Sequence, residues 1–423
     1  RFVAMLSHPN LKLAFEAAWC LTNIASGNAN HTRAVVESGA IPPLVELLGS
    51  EDGLVRDQAV WAIGNIAGES TAYRDMILGL GAMSKLLAIA HRVLRLCMLR
   101  NVSWTLSNLC RGRNPQPDFE IVSQALPTLH NMLNFRDDEV IADAAWSLSF
   151  LSDDTGSSHL PENYKIEMVL HSGVLGRLIA LLSHPNPNIK TPALRTVGNI
   201  VTGTNFQTQM VINANALPQL ISLLGNSRRG IRREAAWALS NIAAGAKPHV
   251  NALVDANAFH ALFISVAQAD IPVKREIVWV ITNALSNRDP AILQHIAAIG
   301  WIAGLVQFLR ENDHDLQLCA LDAIHHFLDY GQKNMVTTNE DGAVTQVNVY
   351  SEIVERAQGC AVLEELLTHP NTRIYSKASN LLRTYFGYQE DAEEDGANQF
   401  DSEDGATIQF DPNAVEQAGD FDL

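Results

Sequence analysis

Tryptophan and asparagine recur together along this chain of 423 residues. In "AAWCLTNIASG" (17–27) an asparagine follows the tryptophan by four residues, and the same spacing returns four more times. Two side chains at this spacing lie on one face of a helix. The five pairs are Trp19/Asn23, Trp61/Asn65, Trp104/Asn108, Trp237/Asn241 and Trp279/Asn283.

These two side chains offer complementary contacts to an extended peptide. A Lys or Arg placed over an indole gains about 0.5–2 kcal/mol, and its aliphatic stem packs against the ring. An Asn amide has a donor and an acceptor, which suits a peptide backbone of any sequence. The residues three positions before each ladder site include acids that attract cations: Glu16, Gln58, Asn101, Asp143, Pro192, Glu234 and Glu276. We therefore predict a groove for basic, extended peptides.

The alternative is that the tryptophans only fill a core, which is the usual role of a single Trp in an apolar helix. The asparagines argue against it, because Asn is about 0.5 kcal/mol worse than Ala inside a helix and its buried amide needs partners. A core would favour Leu at these positions. We expect an exposed ladder whose amides are free to bind a ligand.

The elements that carry the ladder repeat about every 42 residues. This step holds, if Arg195 fills the one gap, for Trp19, Trp61, Trp104, Trp146, Trp237 and Trp279. A polar loop, "SDDTGSSHLPEN", accounts for the extra residues at that gap. A second segment, such as "SGAIPPLVELL", keeps the same period and begins with a Gly or Asn turn. The period predicts an armadillo or HEAT solenoid, with two substantial helices and a short third helix in each unit. We count eight full units between residues 7 and 369, with a partial one at each end.

Charge and composition limit the classes of partner that the chain could bind. The net charge is −16, but residues 389–423 hold twelve acids and no Lys or Arg, so residues 1–388 are close to neutral at −4. We predict a disordered acidic tail over 389–423 and an armadillo-repeat domain of about nine repeats over 1–388. The balance argues against nucleic acid as a direct partner, and the sequence has no apolar run that could span a membrane.

Five scattered cysteines, with no CxxC pair, favour reduced thiols in a cytosolic or nuclear protein. The chain opens with Arg1 inside a predicted helix and has no signal peptide, so we interpret it as a fragment.

At the level of whole segments the chain resembles the importin-α (karyopherin-α) family. The "WALSNIAAG"-like units, "NVSWTLSNLCRGRNPQP", "PALRTVGNIVTGTNFQTQ" and the tail "GATIQFDPNAVEQAGDFDL" carry the resemblance, which runs from residue 1 to about 388 and again at the C-terminus. It implies an all-α, right-handed superhelical armadillo-repeat solenoid. It also implies a nuclear import adaptor, not an enzyme and without a cofactor, that shuttles between cytoplasm and nucleus.

The resemblance also implies two sites for Lys/Arg-rich nuclear localisation signals. The implied major-site residues are Trp19, Asn23, Gly27, Thr32, Gln58, Trp61, Asn65, Glu69, Trp104, Asn108 and Asp143. The implied minor-site residues are Arg195, Asn199, Gly203, Thr208, Glu234, Trp237, Asn241, Glu276, Trp279 and Asn283. Further implied partners are importin-β, through a basic N-terminal arm that the sequence lacks, and an export receptor of the Cas type and nucleoporins near the C-terminal repeats.

Two positions depart from the family. Glu69 stands where an Asp is frequent, and Asn205 stands where an acid is frequent, which weakens the expected minor site. Gly27, Thr32 and Glu69 together offer a carbonyl, a hydroxyl and a carboxylate. These three acceptors match the three donors of an ammonium and predict selectivity for Lys over Arg. Arg195 is expected to separate the two sites, and a pair with Asp143 is possible on spacing.

Several other polar or aromatic residues are predicted to have structural roles and not to form binding sites. His325–His326 lacks further metal ligands at suitable spacing, Trp301 is predicted to be core, and Asp153–Asp154 and the arginines between 228 and 233 are predicted to be solvated. The sequence contains no P-loop, GxSxG or HExxH motif. Two other functions remain open from the residues alone: an armadillo scaffold in the style of β-catenin, whose basic groove takes acidic peptides, and an enzyme, for which no catalytic set is visible.

Overall fold

A computed structural model describes residues 1–92, 95–155, 160–338 and 344–388. The predictions of a disordered tail at 389–423 and of part of the polar loop at 156–159 lie outside these residues. The chain divides into two compact units, Arg1–Asn215 (unit 1) and Ala216–Leu423 (unit 2).

Unit 1 is a succession of helices in which a long helix is followed by two shorter ones. In chain order they are α1 (Phe2–Leu6), α2 (Leu11–Ala25), α3 (Ala29–Glu37), α4 (Ile41–Leu47), α5 (Gly53–Glu69), α6 (Thr71–Gly79), α7 (Ala82–Ala90), α8 (Leu96–Cys110), α9 (Phe119–Val122), a 3₁₀ turn (Ser123–Ala125), α10 (Leu126–Leu133), α11 (Asp138–Leu151), α12 (Tyr164–His171), α13 (Leu175–Leu181), α14 (Pro187–Ile200) and α15 (Asn205–Asn213).

Unit 2 continues the same order of long and short helices. It contains α16 (Leu217–Leu223), α17 (Arg229–Ala244), α18 (Lys247–Asp255), α19 (Ala258–Val266), α20 (Ile271–Ser286), α21 (Pro290–Ile299), α22 (Trp301–Phe308), α23 (His314–Asn334), β1 (Val336–Thr338), β2 (Val344–Gln346), α24 (Val349–Arg356), α25 (Gly359–Glu365), a 3₁₀ turn (Leu366–Thr368) and α26 (Thr372–Phe386).

The predicted armadillo-type solenoid is confirmed, including the short third helix of each repeat. Long helices pack side by side within each unit: α2, α5, α8, α11 and α14 in unit 1, and α17, α20, α23 and α26 in unit 2. Their apolar faces form the core, and residues such as Ile63, Ile66, Ile277 and Ile281 are fully buried. A single helix triplet could not bury this face alone, so stacking supplies the burial that stabilises the fold.

The predicted Gly or Asn turns are also confirmed. The turn between the second and third helix of a repeat has a positive φ at Gly39, Gly81, Gly173, Asn215, Asn257, Gly300 and Gln358. Glycine has no Cβ to obstruct this backbone region, and Asn tolerates it better than most residues. Most of the long helices begin at side-chain caps, for example Asp52 and Asp313, whose carboxylates accept hydrogen bonds from backbone N–H groups of the first turn.

One element differs from the all-α expectation. In the polar insertion, β1 and β2 pair antiparallel, with Val336 opposite Gln346 and Thr338 opposite Val344. The segment is rich in Thr and Val, which fit a strand better than a helix. Within the described ranges no single helix is long and apolar enough to cross a membrane, and α21 with α22 reaches that composition only as a pair bent by 71°.

Candidate functional site

Two ladder tryptophans of unit 1 are exposed to solvent, as predicted. Trp19 is 48% exposed and Trp61 is 41% exposed, while Trp104 is half-buried. Trp104 lies directly against α5, where any side chain larger than that of Gly64 would overlap its six-membered ring. Gly64, which the sequence analysis missed, therefore lets the indole of one repeat approach the backbone of the repeat before it.

The asparagines correct the sequence interpretation, because their amides are not free. In four of them the Nδ2 group donates to the carbonyl oxygen of a residue one repeat earlier. The donors and acceptors are Asn65 to Thr22 (3.3 Å), Asn108 to Gly64 (3.1 Å), Asn199 to Ser149 (2.9 Å) and Asn283 to Ser240 (3.0 Å). The amide thus links neighbouring long helices, and this hydrogen bond offsets the free-energy cost of burying the amide. Only the Oδ1 atom and the second N–H are left for a ligand.

Two asparagines of the ladder lack this bond. Asn23 is exposed on α2, the first long helix of unit 1. Asn241 is 9% exposed, and its Nδ2 atom has no hydrogen-bond partner among the described residues. The bond therefore does not follow from the Trp/Asn pair alone.

In unit 2 the ladder is more deeply buried than predicted. Trp237 is only 5% exposed, and Trp279 is half-buried. Glu234 and Glu276, which were expected to attract cations from the surface, are buried as well. The expected open slot between two exposed indoles is therefore wrong for Trp237.

The acids that precede the tryptophans have unusual electrostatics. Burial, with a smaller contribution from the charge of Glu234, raises the pKa of Glu276 to about 8, while Arg233 and Arg275 act against the shift. The Oε2 atom of Glu276 has no hydrogen-bond partner in the described structure. Burial also raises the pKa of Asp143, to about 6, although its carboxylate accepts a hydrogen bond from Ser103 Oγ at 2.8 Å.

Other predicted polar residues of the ladder are engaged inside the protein. Gln58 is buried, and its Nε2 donates to Thr22 Oγ1 at 2.8 Å, so it does not present its amide to a cation as expected. Asn101 Nδ2 donates to Asp57 Oδ1 at 2.8 Å. Asp57 was missed by the sequence analysis, although an acid one turn before Trp61 could have drawn attention to it.

The predicted lysine pocket of unit 1 is only partly assembled. Gly27 and Glu69 are exposed. Thr32 is fully buried and donates its hydroxyl to the Ala25 carbonyl at 3.0 Å, so it is not accessible as the predicted acceptor. Gly27 has a packing role as well, because a Cβ there would overlap the His31 ring, which caps α3.

The equivalent residues at the end of α14 repeat this arrangement. Thr208 is buried and donates to the Val201 carbonyl (3.4 Å), and a Cβ on Gly203 would overlap Gln207, which completes the capping box of α15 with Thr204. Asn205 is exposed on the first turn, beside the 74% exposed ring of Phe206. Arg195 is half-buried on α14, and its predicted pair with Asp143 stays a prediction.

The residues assigned structural roles have packed surroundings. Trp301 is fully buried, donates to the Phe259 carbonyl (3.1 Å) and lies edge-on to Phe263, as predicted for a core residue. The rings of His325 and His326 stack at 6.3 Å, and burial lowers the pKa of His326 to about 4.

The arginines at the start of α17 are less free than predicted. Arg229 and Arg232 lie 3.3 and 3.8 Å from the carboxylate of Asp270.

Repeats of a known type account for much of the sequence. Residues 1–26, 28–68, 163–202 and 206–244 match the Armadillo/beta-catenin-like repeat, and residues 348–399 match the Atypical Arm repeat. An engineered protein of known structure superposes with a TM-score of 0.72 over 90% of this chain and 97% of its own, at 24% identity. This likeness shows the fold alone.

Relatives from plants and from an amoeba are similar over almost the whole chain. "Importin subunit alpha-1b" of Oryza sativa subsp. japonica is 42% identical over 397 residues, which cover 92% of this chain and 71% of that protein. "Importin subunit alpha-2" of Arabidopsis thaliana is 48% identical over 393 residues, covering 92% and 71%. "Importin subunit alpha-B" of Dictyostelium discoideum is 50% identical over 397 residues, covering 93% and 73%. The repeats, the fold and the sequence identity over almost the whole of this chain agree. The chain therefore belongs to the importin-α family of nuclear import adaptors.

Proposed function

We propose that the chain binds the Lys/Arg-rich nuclear localisation signals of cargo proteins along its ladder. The exposed indoles of Trp19 and Trp61 carry the proposal. An exposed indole lowers the solubility of a protein and adds little to the stability of its fold. Its face can, however, hold the aliphatic stem and the charge of a basic residue. The acids Glu16 and Glu69 are exposed on the same helices and add attraction for cations.

The major site consists of Trp19, Trp61 and Trp104 with their asparagines in unit 1. A second, weaker site in unit 2 uses Trp279 with Glu234, Glu276 and Asn283. Importin-β, an export receptor of the Cas type and nucleoporins are the further partners of the whole protein, and shuttling between cytoplasm and nucleus follows from this role. Support for these partners comes from membership of the family.

Binding of labelled peptides tests the proposal directly. A peptide with five consecutive lysines should bind the full chain, and an acidic peptide of equal length should not. The variant Trp104→Ala should weaken the lysine peptide about tenfold, because one wall of a cation site is lost. Preference for the acidic peptide would favour a scaffold of the β-catenin kind instead.

A further inference from the structure

The imidazole ring of His31 packs on Gly27, whose carbonyl is expected to bind a lysine of the ligand. His31 is the third residue of α3 and is exposed to solvent. A Cβ on Gly27 would overlap the Nδ1 atom of His31 and lie 3.1 Å from its Cγ atom. The ring therefore takes the space that a side chain at position 27 would fill, and it is an immediate neighbour of the predicted lysine pocket.

The hydrogen bonds of His31 require an uncharged ring. The backbone N–H of Asn28 donates to His31 Nδ1 at 3.4 Å, and the Asn28 side chain accepts from the backbone N–H of His31 at 3.2 Å, which closes a capping box at the start of α3. A backbone N–H can only donate, so Nδ1 must keep its lone pair and the ring proton lies on Nε2. Protonation of Nδ1 would remove this acceptor and make the ring a cation.

A charged ring would lie close to a bound ammonium group. Because a Cβ on Gly27 would overlap His31 Nδ1, this atom lies within about 4 Å of the Gly27 Cα atom. An ammonium that donates to the Gly27 carbonyl is then within about 9 Å of Nδ1. This separation is shorter than the screening length of about 10 Å at 0.1 M salt, so the two cations would repel each other.

The charged groups around His31 are few. The helices α2 and α5 pack against α3. On α3 itself, Arg33 and Glu37 lie 4.0 Å apart as a pair. No ion pair joins His31 to another residue within the ranges that the structure describes. The titratable residues of the two neighbouring helices are Lys12, Glu16 and Cys20 on α2 and Arg56, Asp57 and Glu69 on α5. Of these, Glu69 ends its helix and is the acid expected to hold the lysine, so a charged His31 ring would compete with the lysine for it.

Two other repeats place a side chain over the corresponding glycine. Gln207 covers Gly203, and its Oε1 accepts from the backbone N–H of Thr204 at 2.8 Å. His249 covers Gly245 but is only 3% exposed. Of the three covering residues, His31 alone is both exposed and titratable, and Gln207 shows that a glutamine builds the same capping box without a charge.

We propose that His31 is a pH-sensitive specificity residue of the unit 1 site, which permits lysine binding when its ring is uncharged and opposes it when the ring is protonated. The inference rests on the proposed function, because it assumes that a lysine of the ligand binds beside Gly27 and Glu69. An imidazole takes up its proton between about pH 8 and pH 5, so the affinity for a basic peptide falls as the pH falls through this range. By reciprocity, a bound lysine drives the proton from the ring.

Peptide titration at two pH values compares wild type with His31→Gln. The affinity for the five-lysine peptide is measured at low salt at pH 7.5 and pH 5.5. Glutamine is the residue that the chain itself has at position 207, so this variant keeps the capping box and the cover on Gly27. The ratio of the Kd at pH 5.5 to the Kd at pH 7.5 should be about three- to tenfold larger for wild type. Titration of Glu69 occurs in both proteins and cancels in the comparison.

A second peptide separates the charge of the ring from its structural role. Replacement of each lysine by alanine identifies the lysine with the largest effect, and the peptide without it is titrated against both proteins at both pH values. The difference between wild type and His31→Gln should disappear with this peptide. A difference that persists means that protonation acts through the capping box, which overturns the inference.

Equal pH ratios of the two proteins with the five-lysine peptide also overturn it and leave the proposed function standing. If neither protein binds that peptide at either pH, the proposed function fails and this inference fails with it.

Discussion

Burial gives two tryptophans of this chain opposite roles. Trp61 is 41% exposed on α5, while Trp301 is fully buried and bonded to the Phe259 carbonyl. A buried indole stabilises the fold through packing, and an exposed one contributes little to stability. The residue type alone does not separate these roles, but the missing Asn partner of Trp301 already favoured a core position in the sequence.

The contrast predicts different defects for two identical substitutions. Trp61→Ala should lower the affinity for the five-lysine peptide about tenfold and leave the unfolding midpoint nearly unchanged. Trp301→Ala should cost about 3–5 kcal/mol of unfolding free energy. Peptide titration and urea unfolding of both variants measure this. A large loss of stability in Trp61→Ala with full binding would return Trp61 to the core.

At Glu69 we predict a single dominant lysine in the ligand. Glu69 is exposed in the free chain, so its ion pair with the lysine is screened, and Glu69→Gln should weaken binding by about two- to fivefold. Glu69→Lys should weaken it further, because two cations would face each other. Each lysine of the peptide is replaced by alanine in turn and titrated against wild type and Glu69→Gln. If the dominant lysine is equally dominant in both proteins, another residue holds it.

At the scale of the element, the Asn amide joins successive long helices. The bond from Asn108 Nδ2 to the Gly64 carbonyl is buried, whereas Asn23 is exposed on α2. Removing a buried hydrogen bond costs about 1–2 kcal/mol, partly because the carbonyl is left without its donor.

Asn108→Ala should therefore lower the free energy of unfolding by about 1–2 kcal/mol, and Asn23→Ala should change it by less than about 0.5 kcal/mol. Both variants remove an amide that the ladder offers to a ligand, so both should weaken the binding of the peptide. Denaturant unfolding and peptide titration on the same samples separate the two effects. Equal stability of the two variants would mean that the bond to Gly64 contributes nothing.

The sequence predicted the elements well because their signals are local. The period of the Trp positions and the Gly or Asn turns depend on residues close in the chain, and the helices and positive φ values agree with them. The fate of Gln58 depends on the neighbouring repeat, which no single window of sequence contains, and that of Thr32 depends on a carbonyl seven residues before it. Thr22 accepts a hydrogen bond from Gln58 of the following repeat, and Trp237 on α17 is only 5% exposed. The hairpin of β1 and β2 was also missed, since a polar insertion gives only a weak strand signal.

At the scale of the whole molecule, charge is distributed unevenly along the chain. Residues 389–423 carry twelve of the 46 acids and none of the 30 Lys and Arg, so most of the net charge of −16 is contributed by this segment. Net charge attracts an oppositely charged ligand over a distance of about 10 Å at 0.1 M salt. The contacts of the bound state act over a shorter range.

Removing residues 389–423 should therefore slow the association of a basic peptide more than it speeds dissociation. At low salt we expect the association rate constant to fall by about two- to tenfold, and the difference should vanish near 0.5 M salt. Stopped-flow fluorescence at several salt concentrations measures both rate constants. A salt-independent difference would indicate a contact of the tail with the site.

The bond between repeats has a consequence for how such a protein can grow. Its donor is an Asn, and its acceptor is the carbonyl of the residue immediately before the corresponding Asn: Gly64 precedes Asn65, and Ser240 precedes Asn241. A copy that carries this dipeptide therefore encodes both halves of the junction within two adjacent codons. A tandem duplication of one repeat yields a new copy that already fits its predecessor and its successor, with no compensating mutation at the seam. Lengthening the array by whole repeats is thus chemically permitted at any junction with this dipeptide, whereas losing the dipeptide from one copy affects the junctions on both of its sides.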